Sequence, residues 1–121
     1  MGSILIVDDN IVSLKQISAL LSKDHDVSLA KSGELALQIG AQKAPDLILL
    51  DVEMPGMDGF ETIARLKADG QLKQVPVIFL TGNNDAETQA KCLGAGAVDF
   101  ITKPPDADTL HNRIKQYLKV S

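Results

Sequence analysis

The residues best equipped for chemistry stand at the ends of short apolar runs. Asp8 and Asp9 follow Ile4–Val7, Asp51 follows Leu47–Leu50, Thr81 follows Val77–Leu80, and Lys103 comes soon after Val98–Ile101. Three carboxylates in one crevice repel one another and raise each other's pKa unless a cation intervenes. Oxygen ligands with no His or Cys nearby suit a hard ion, and an incomplete set suits Mg²⁺ that retains part of its water. Such a metal would shield an incoming phosphoryl group from the carboxylates. A carboxylate can itself attack phosphorus and form an aspartyl phosphate. Lys103 and the Thr81 hydroxyl would add a point charge and a hydrogen-bond donor for the phosphoryl oxygens. Gathered together, these groups make a phosphoryl-accepting site.

Whether they gather depends on the elements that carry them. The apolar runs Ile4–Val7, Val27–Ala30, Leu47–Leu50, Val77–Leu80 and Val98–Ile101 read as strands. Segments of helical length lie between and after them, at about 11–23, 33–43, 58–68, 86–94 and 106–119. The last has the clearest helical stripe, in Ala107, Leu110, Ile114, Tyr117 and Leu118. Alternating strands and helices give an α/β fold on a parallel sheet. The first, third and fourth runs are continuously apolar, as in strands covered on both faces. Ser28 and Asp99 break the second and fifth, which therefore belong at the edges. The strand order 2-1-3-4-5 satisfies this and is a common doubly wound arrangement, with helices on both faces. In that order the chain reverses between the first and third strands. Ligands bind at such a switch point, at the carboxyl ends of the strands, and here it is flanked by Asp8, Asp9 and Asp51.

Composition narrows the class further. The chain has 121 residues, 45% hydrophobic and 23% charged, with a single cysteine. That is one domain with enough apolar material for a core, without a disulfide framework. A net charge of −4 argues against gripping a phosphate backbone, so no direct nucleic-acid contact is expected. The apolar runs are far shorter than the roughly 20 residues of a membrane-crossing helix, and no secretory signal is visible. A cytoplasmic location, away from the membrane, is the expectation.

The residues now carry a resemblance. Val7-Asp8-Asp9-Asn10, the segment Leu49–Gly59 with its Asp51-Val52-Glu53-Met54-Pro55-Gly56-Met57, then Phe79-Leu80-Thr81-Gly82, and Gly94–Pro104 with its Lys103-Pro104 follow one another in the sequence. The four blocks resemble the receiver domain of two-component response regulators, in that family's order and over essentially the whole chain. The resemblance implies a flavodoxin-like (βα)5 fold and assigns roles. Asp51 would be the phosphoacceptor, Asp9 a direct Mg²⁺ ligand, and Asp8 a metal-site acid acting largely through water. The main-chain carbonyl of Glu53 would complete the protein's share of the coordination. Lys103 would pair with the acceptor and its phosphoryl group, Thr81 would move to bind that group, and Phe100 would be the switch aromatic that turns inward. The Lys103–Pro104 bond would be cis. Glu53 and Asn83 stand where family members vary to tune the lifetime of the phosphoryl group. Pro105 departs from the aromatic or aliphatic residue that many members carry there.

Other readings have local support. Asp8 or Asn10 could simply cap the first helix. Phe100 could be edge-strand packing, and Gly94-Ala95-Gly96 reads as a helix C-terminus rather than a nucleotide loop. Cys92 and His111 read as helix-surface or semi-buried residues and His25 as a loop residue. A Mg²⁺-dependent phosphatase would resemble Asp-x-Asp-x-Thr after the first strand, whereas Asp51 lies after the third. A binding module that is never phosphorylated is the third class, against which the complete site argues. The resemblance implies a switch that catalyses only its own phosphorylation and dephosphorylation. Its partners would be a sensor histidine kinase or phosphotransfer protein, and an output domain or effector at the face of the fourth helix, fifth strand and fifth helix. Phosphorylation-dependent dimerisation stays open. Residues 1–121 are expected to be one receiver domain without an output domain.

Overall fold

The computed structural model describes residues 2–83 and 85–118. Strand and helix alternate throughout: β1 (Ser3–Val7), α1 (Ile11–Leu21), β2 (Asp26–Ala30), α2 (Gly33–Gln42), β3 (Leu47–Asp51), α3 (Gly59–Ala68), β4 (Val77–Thr81), α4 (Ala86–Gly94), β5 (Asp99–Thr102) and α5 (Ala107–Tyr117). The strands are all parallel, in the order β2-β1-β3-β4-β5. The sheet order read from the broken runs at Ser28 and Asp99 is therefore the observed one. Asp99 also has work at its edge: it accepts hydrogen bonds from Arg113 (2.6 Å) and Tyr117 (3.1 Å) of α5. The polar break that marks the edge strand ties the last helix to it.

Side chains alternate between the faces of the sheet, which builds two apolar layers from each central strand. Ile4 and Ile6 of β1 pack with Leu14 and Ile17 of α1 and Leu110 and Ile114 of α5. Leu5 and Val7 of the same strand pack on the other face with Ala36 of α2, Ile63 and Leu66 of α3 and Cys92 of α4. Burying one such Leu or Ile stabilises by roughly 1.5–3 kcal/mol, so each central strand anchors both layers at once.

Each helix begins at a side chain that accepts from its first turn: Asn10, Ser32, Asp58, Asp85 and Asp106. These caps satisfy main-chain donors that the helix itself cannot. They also shorten the expected helices, since residues 58 and 106 stand outside α3 and α5 as caps. α1 stops at Leu21 and α2 at Gln42, short of the expected ends at 23 and 43. Residue 119, included in the expected last helix, lies outside the described residues. Cys92 is corrected: it is fully buried, because it is the α4 side chain that faces the sheet. Gly96 has φ +106° just past α4, so the glycines there do close a helix. Among the described residues no helix is long and apolar enough to cross a membrane.

Candidate functional site

The site residues lie on, or just beyond, the last residues of the strands. Asp51 ends β3 and Thr81 ends β4, while Asp8 and Asp9 directly follow β1. The ladder continues past the strand ends and fixes these positions. The Asp8 amide donates to the Ala30 carbonyl (3.1 Å), the Val52 amide to the Leu80 carbonyl (3.0 Å) and the Lys103 amide to the Thr81 carbonyl (2.7 Å). α3 then returns tightly onto β3. The Gly59 amide donates to the Val52 carbonyl at 2.9 Å. A β-carbon on Gly59 would overlap the Asp51 carbonyl oxygen, so only glycine lets the helix start this close to the strand end.

One carboxylate oxygen from each of Asp8, Asp9 and Asp51 falls within 4.8 Å of the others. Asp8 is fully buried and Asp51 nearly so, while Asp9 is exposed. Lys103 approaches from β5: its Nζ donates to Asp8 Oδ2 at 2.6 Å and stands 3.5 Å from Asp51 Oδ2. Asp8 Oδ1 accepts from the Asn10 amide (3.0 Å), and Asp51 Oδ1 from the Glu53 amide (3.4 Å). Asp51 is pushed up to about 7, first by burial and then by the Asp8 charge, against the opposing pull of Lys103. Burial draws the Lys103 ammonium down, but its contacts with Asp8 and Asp51 outweigh this and its pKa is raised. Lys103 stays charged, and the crevice still holds more negative charge than this one cation offsets. Hard oxygen donors, close spacing and excess negative charge fit a divalent ion such as Mg²⁺.

A cleft of about 290 Å³ is lined by Asp8, Asp9, Asn10, Asp51, Val52, Glu53, Thr81, Gly82 and Lys103. It brings together every residue expected at the site except Phe100. Phe100 is half-buried on β5, paired in register with Phe79 and packed against the α2–α3–α4 layer. The Thr81 hydroxyl is engaged by the loop that follows β4: it donates to the Asn83 carbonyl and accepts from the Asn83 amide, both at 3.0 Å. The Lys103–Pro104 bond is cis, as the resemblance implied. Asn10 is the cap of α1 and also lines the cleft. The tight Lys103–Asp8 pair had no local signal, since its partners are 95 positions apart in sequence.

The sequence profile of the response regulator receiver domain matches residues 4–115. Response regulator PleD of Caulobacter vibrioides is 40% identical over 113 residues, which cover 93% of this chain and 25% of that protein. Protein PilH of Pseudomonas aeruginosa is 34% identical, over 98% of both chains. The chain thus spans about a quarter of the length of several curated relatives, PleD among them, and nearly all of PilH. The solved chemotaxis protein CheY4 of Vibrio cholerae superposes with a TM-score of 0.92 at 30% identity, covering 98% of this chain and 99% of that one. The receiver domain of a Pseudomonas aeruginosa sensor histidine kinase, solved with a magnesium ion coordinated in its active-site cleft, gives 0.89 at 30% identity, with 97% of each chain covered. By this profile match and these likenesses in sequence and structure, the chain belongs to the response regulator receiver domain family.

Proposed function

We propose that the chain is a phosphorylation switch whose Asp51 takes a phosphoryl group from a sensor histidine kinase or phosphotransfer protein in a Mg²⁺-dependent reaction. The observation that carries this reading is the Asp8–Asp9–Asp51 cluster at the strand ends, closed on one side by Lys103. Asp9, Asp51 and the Glu53 main-chain carbonyl would hold the ion directly, and Asp8 largely through water. Bound there, Mg²⁺ supplies charge neutralisation for the phosphoryl oxygens. The Asp51 carboxylate attacks phosphorus as the bond to the donor atom breaks, and the leaving group departs with its electron pair and takes a proton from solvent. Lys103 turns from its carboxylate partners toward a phosphoryl oxygen, and the Thr81 hydroxyl donates to another. Phe100 responds to the Thr81 movement. The face of α4, β5 and α5 then presents the change to an output domain or effector, or to a second copy of the chain. Residues 1–121 act as one cytoplasmic receiver domain that catalyses its own phosphorylation and its own dephosphorylation by water.

Incubation with a small acyl or amido phosphate and Mg²⁺ should add one phosphoryl group, seen by intact mass. The adduct should be labile to alkali and absent when Mg²⁺ is chelated or when Asp51→Asn is used. Undiminished labelling of that variant would overturn the assignment.

A further inference from the structure

The Thr81 hydroxyl has one hydrogen, and that hydrogen is committed to the Asn83 carbonyl. It cannot also be donated to a phosphoryl oxygen, so capture of the group by Thr81 must release Asn83. Asn83 is itself tied onward. Its side-chain oxygen accepts from the Asp85 amide at 3.1 Å, and Asp85, the cap of α4, accepts from the Thr88 amide at 2.8 Å. A continuous path of hydrogen bonds therefore runs from the reacting end of β4 into the first turn of α4.

α4 has the smallest buried anchor of the five helices. It buries only Cys92, whereas α1 buries Leu14, Ile17 and Leu21, and α3 buries four residues. A groove of about 560 Å³ runs along its flank between Phe60 of α3 and Thr88 and Lys91 of α4. The Lys91 ammonium lies 5.0 Å from the Phe60 ring centre, a modest contact across that gap. With Cys92 as its one buried side chain, α4 has a small apolar anchor, so disturbing its cap loosens its first turn.

We infer that Asn83 is a positioning residue that couples the Thr81 hydroxyl to the N-cap of α4, so that phosphoryl capture loosens the start of that helix. This rests on the reading of Thr81 as a phosphoryl-binding group. Asn83 acts twice, through its main chain on Thr81 and through its side chain on Asp85. The second role needs only an acceptor, which Asp can supply and Ala cannot.

The test is amide hydrogen exchange at Thr88 in the wild type, Asn83→Ala and Asn83→Asp, each with and without beryllium fluoride and Mg²⁺ as a phosphoryl mimic. The mimic should speed wild-type exchange by about fivefold, the size expected from weakening one N-cap. Asn83→Ala should show the fast rate without the mimic and no further change on its addition. Asn83→Asp should recover both the slow rate and the response, which a general loss of stability would not produce. Wild-type behaviour of Asn83→Ala would overturn the coupling. Fluorine resonances of the bound mimic report the Asp51 site separately. Their absence would sink the phosphoacceptor reading, while the mimic-free rates of the three proteins would still decide the role of Asn83.

Discussion

Asp51, the proposed phosphoacceptor, is nearly buried, and its surroundings make its charged form costly. Burial and the Asp8 charge hold its pKa near 7, well above an ordinary carboxyl. Folding therefore favours its protonated form. The stability this contributes is complete below the ordinary carboxyl range and is lost as pH rises through about 7. Metal-free Asp51→Asn, which is neutral at every pH, should consequently be more stable than the wild type at pH 8, with the gap closing as pH falls toward 4. Urea midpoints of the two proteins across that range check this, and a gap that widened in acid would contradict it. The acidic pair, Asp51, Thr81 and Lys103 were legible because each sits where an apolar run stops. The engagement of Lys103 with Asp8, at 2.6 Å against 3.5 Å for Asp51, was not, because side-chain partners across a sheet leave no trace in local sequence. The burial of Cys92 was equally hidden, since α4 has too few apolar positions to show which face is inward.

At the scale of elements, strand identity and order followed from which runs were continuous and which were broken. Ends were less legible. β3 and β4 extend onto Asp51 and Thr81, so these two are strand residues held by the ladder rather than loop residues after it. Helix starts are fixed by side-chain acceptors that a hydrophobic pattern does not reveal. Asn10 shows how local structure serves the site: its Oδ1 accepts from Val12 (2.9 Å) and Ser13 (3.2 Å), while its own amide donates to Asp8 Oδ1. One residue thus starts α1 and steadies the buried acid beside it. Asn10→Ala should cost about 1 kcal/mol of stability through the lost cap alone. Chemical denaturation measures this directly. Asn10→Asp, which keeps an acceptor at the helix start, should recover most of it.

Across the whole molecule, the sheet separates two apolar layers that share strands but not side chains. Ile17 belongs to the α1–α5 layer and Ile63 to the α2–α3–α4 layer, and each is essentially inaccessible to solvent. The central strands β1, β3 and β4 feed both layers, so neither can come apart without exposing the back of the other. Cooperative unfolding in one transition is the physical consequence for two layers built on the same strands. The two layers are nevertheless energetically local, because a methyl group lost on one face leaves the packing of the other untouched. Ile17→Val and Ile63→Val should each cost about 0.5–1.5 kcal/mol, the usual range for removing one buried methyl group. Combined, the two losses should add to within roughly 0.5 kcal/mol, as for sites without shared partners. Urea unfolding of both single variants and the double variant, followed by far-UV circular dichroism and by calorimetry, provides the measurement. A single transition with additive losses is the expected result. A second transition, or a double variant far from the sum, would mean that the layers unfold separately or are coupled through the sheet. The cleft at the strand ends would then rest on a less unitary scaffold than its shared strands imply.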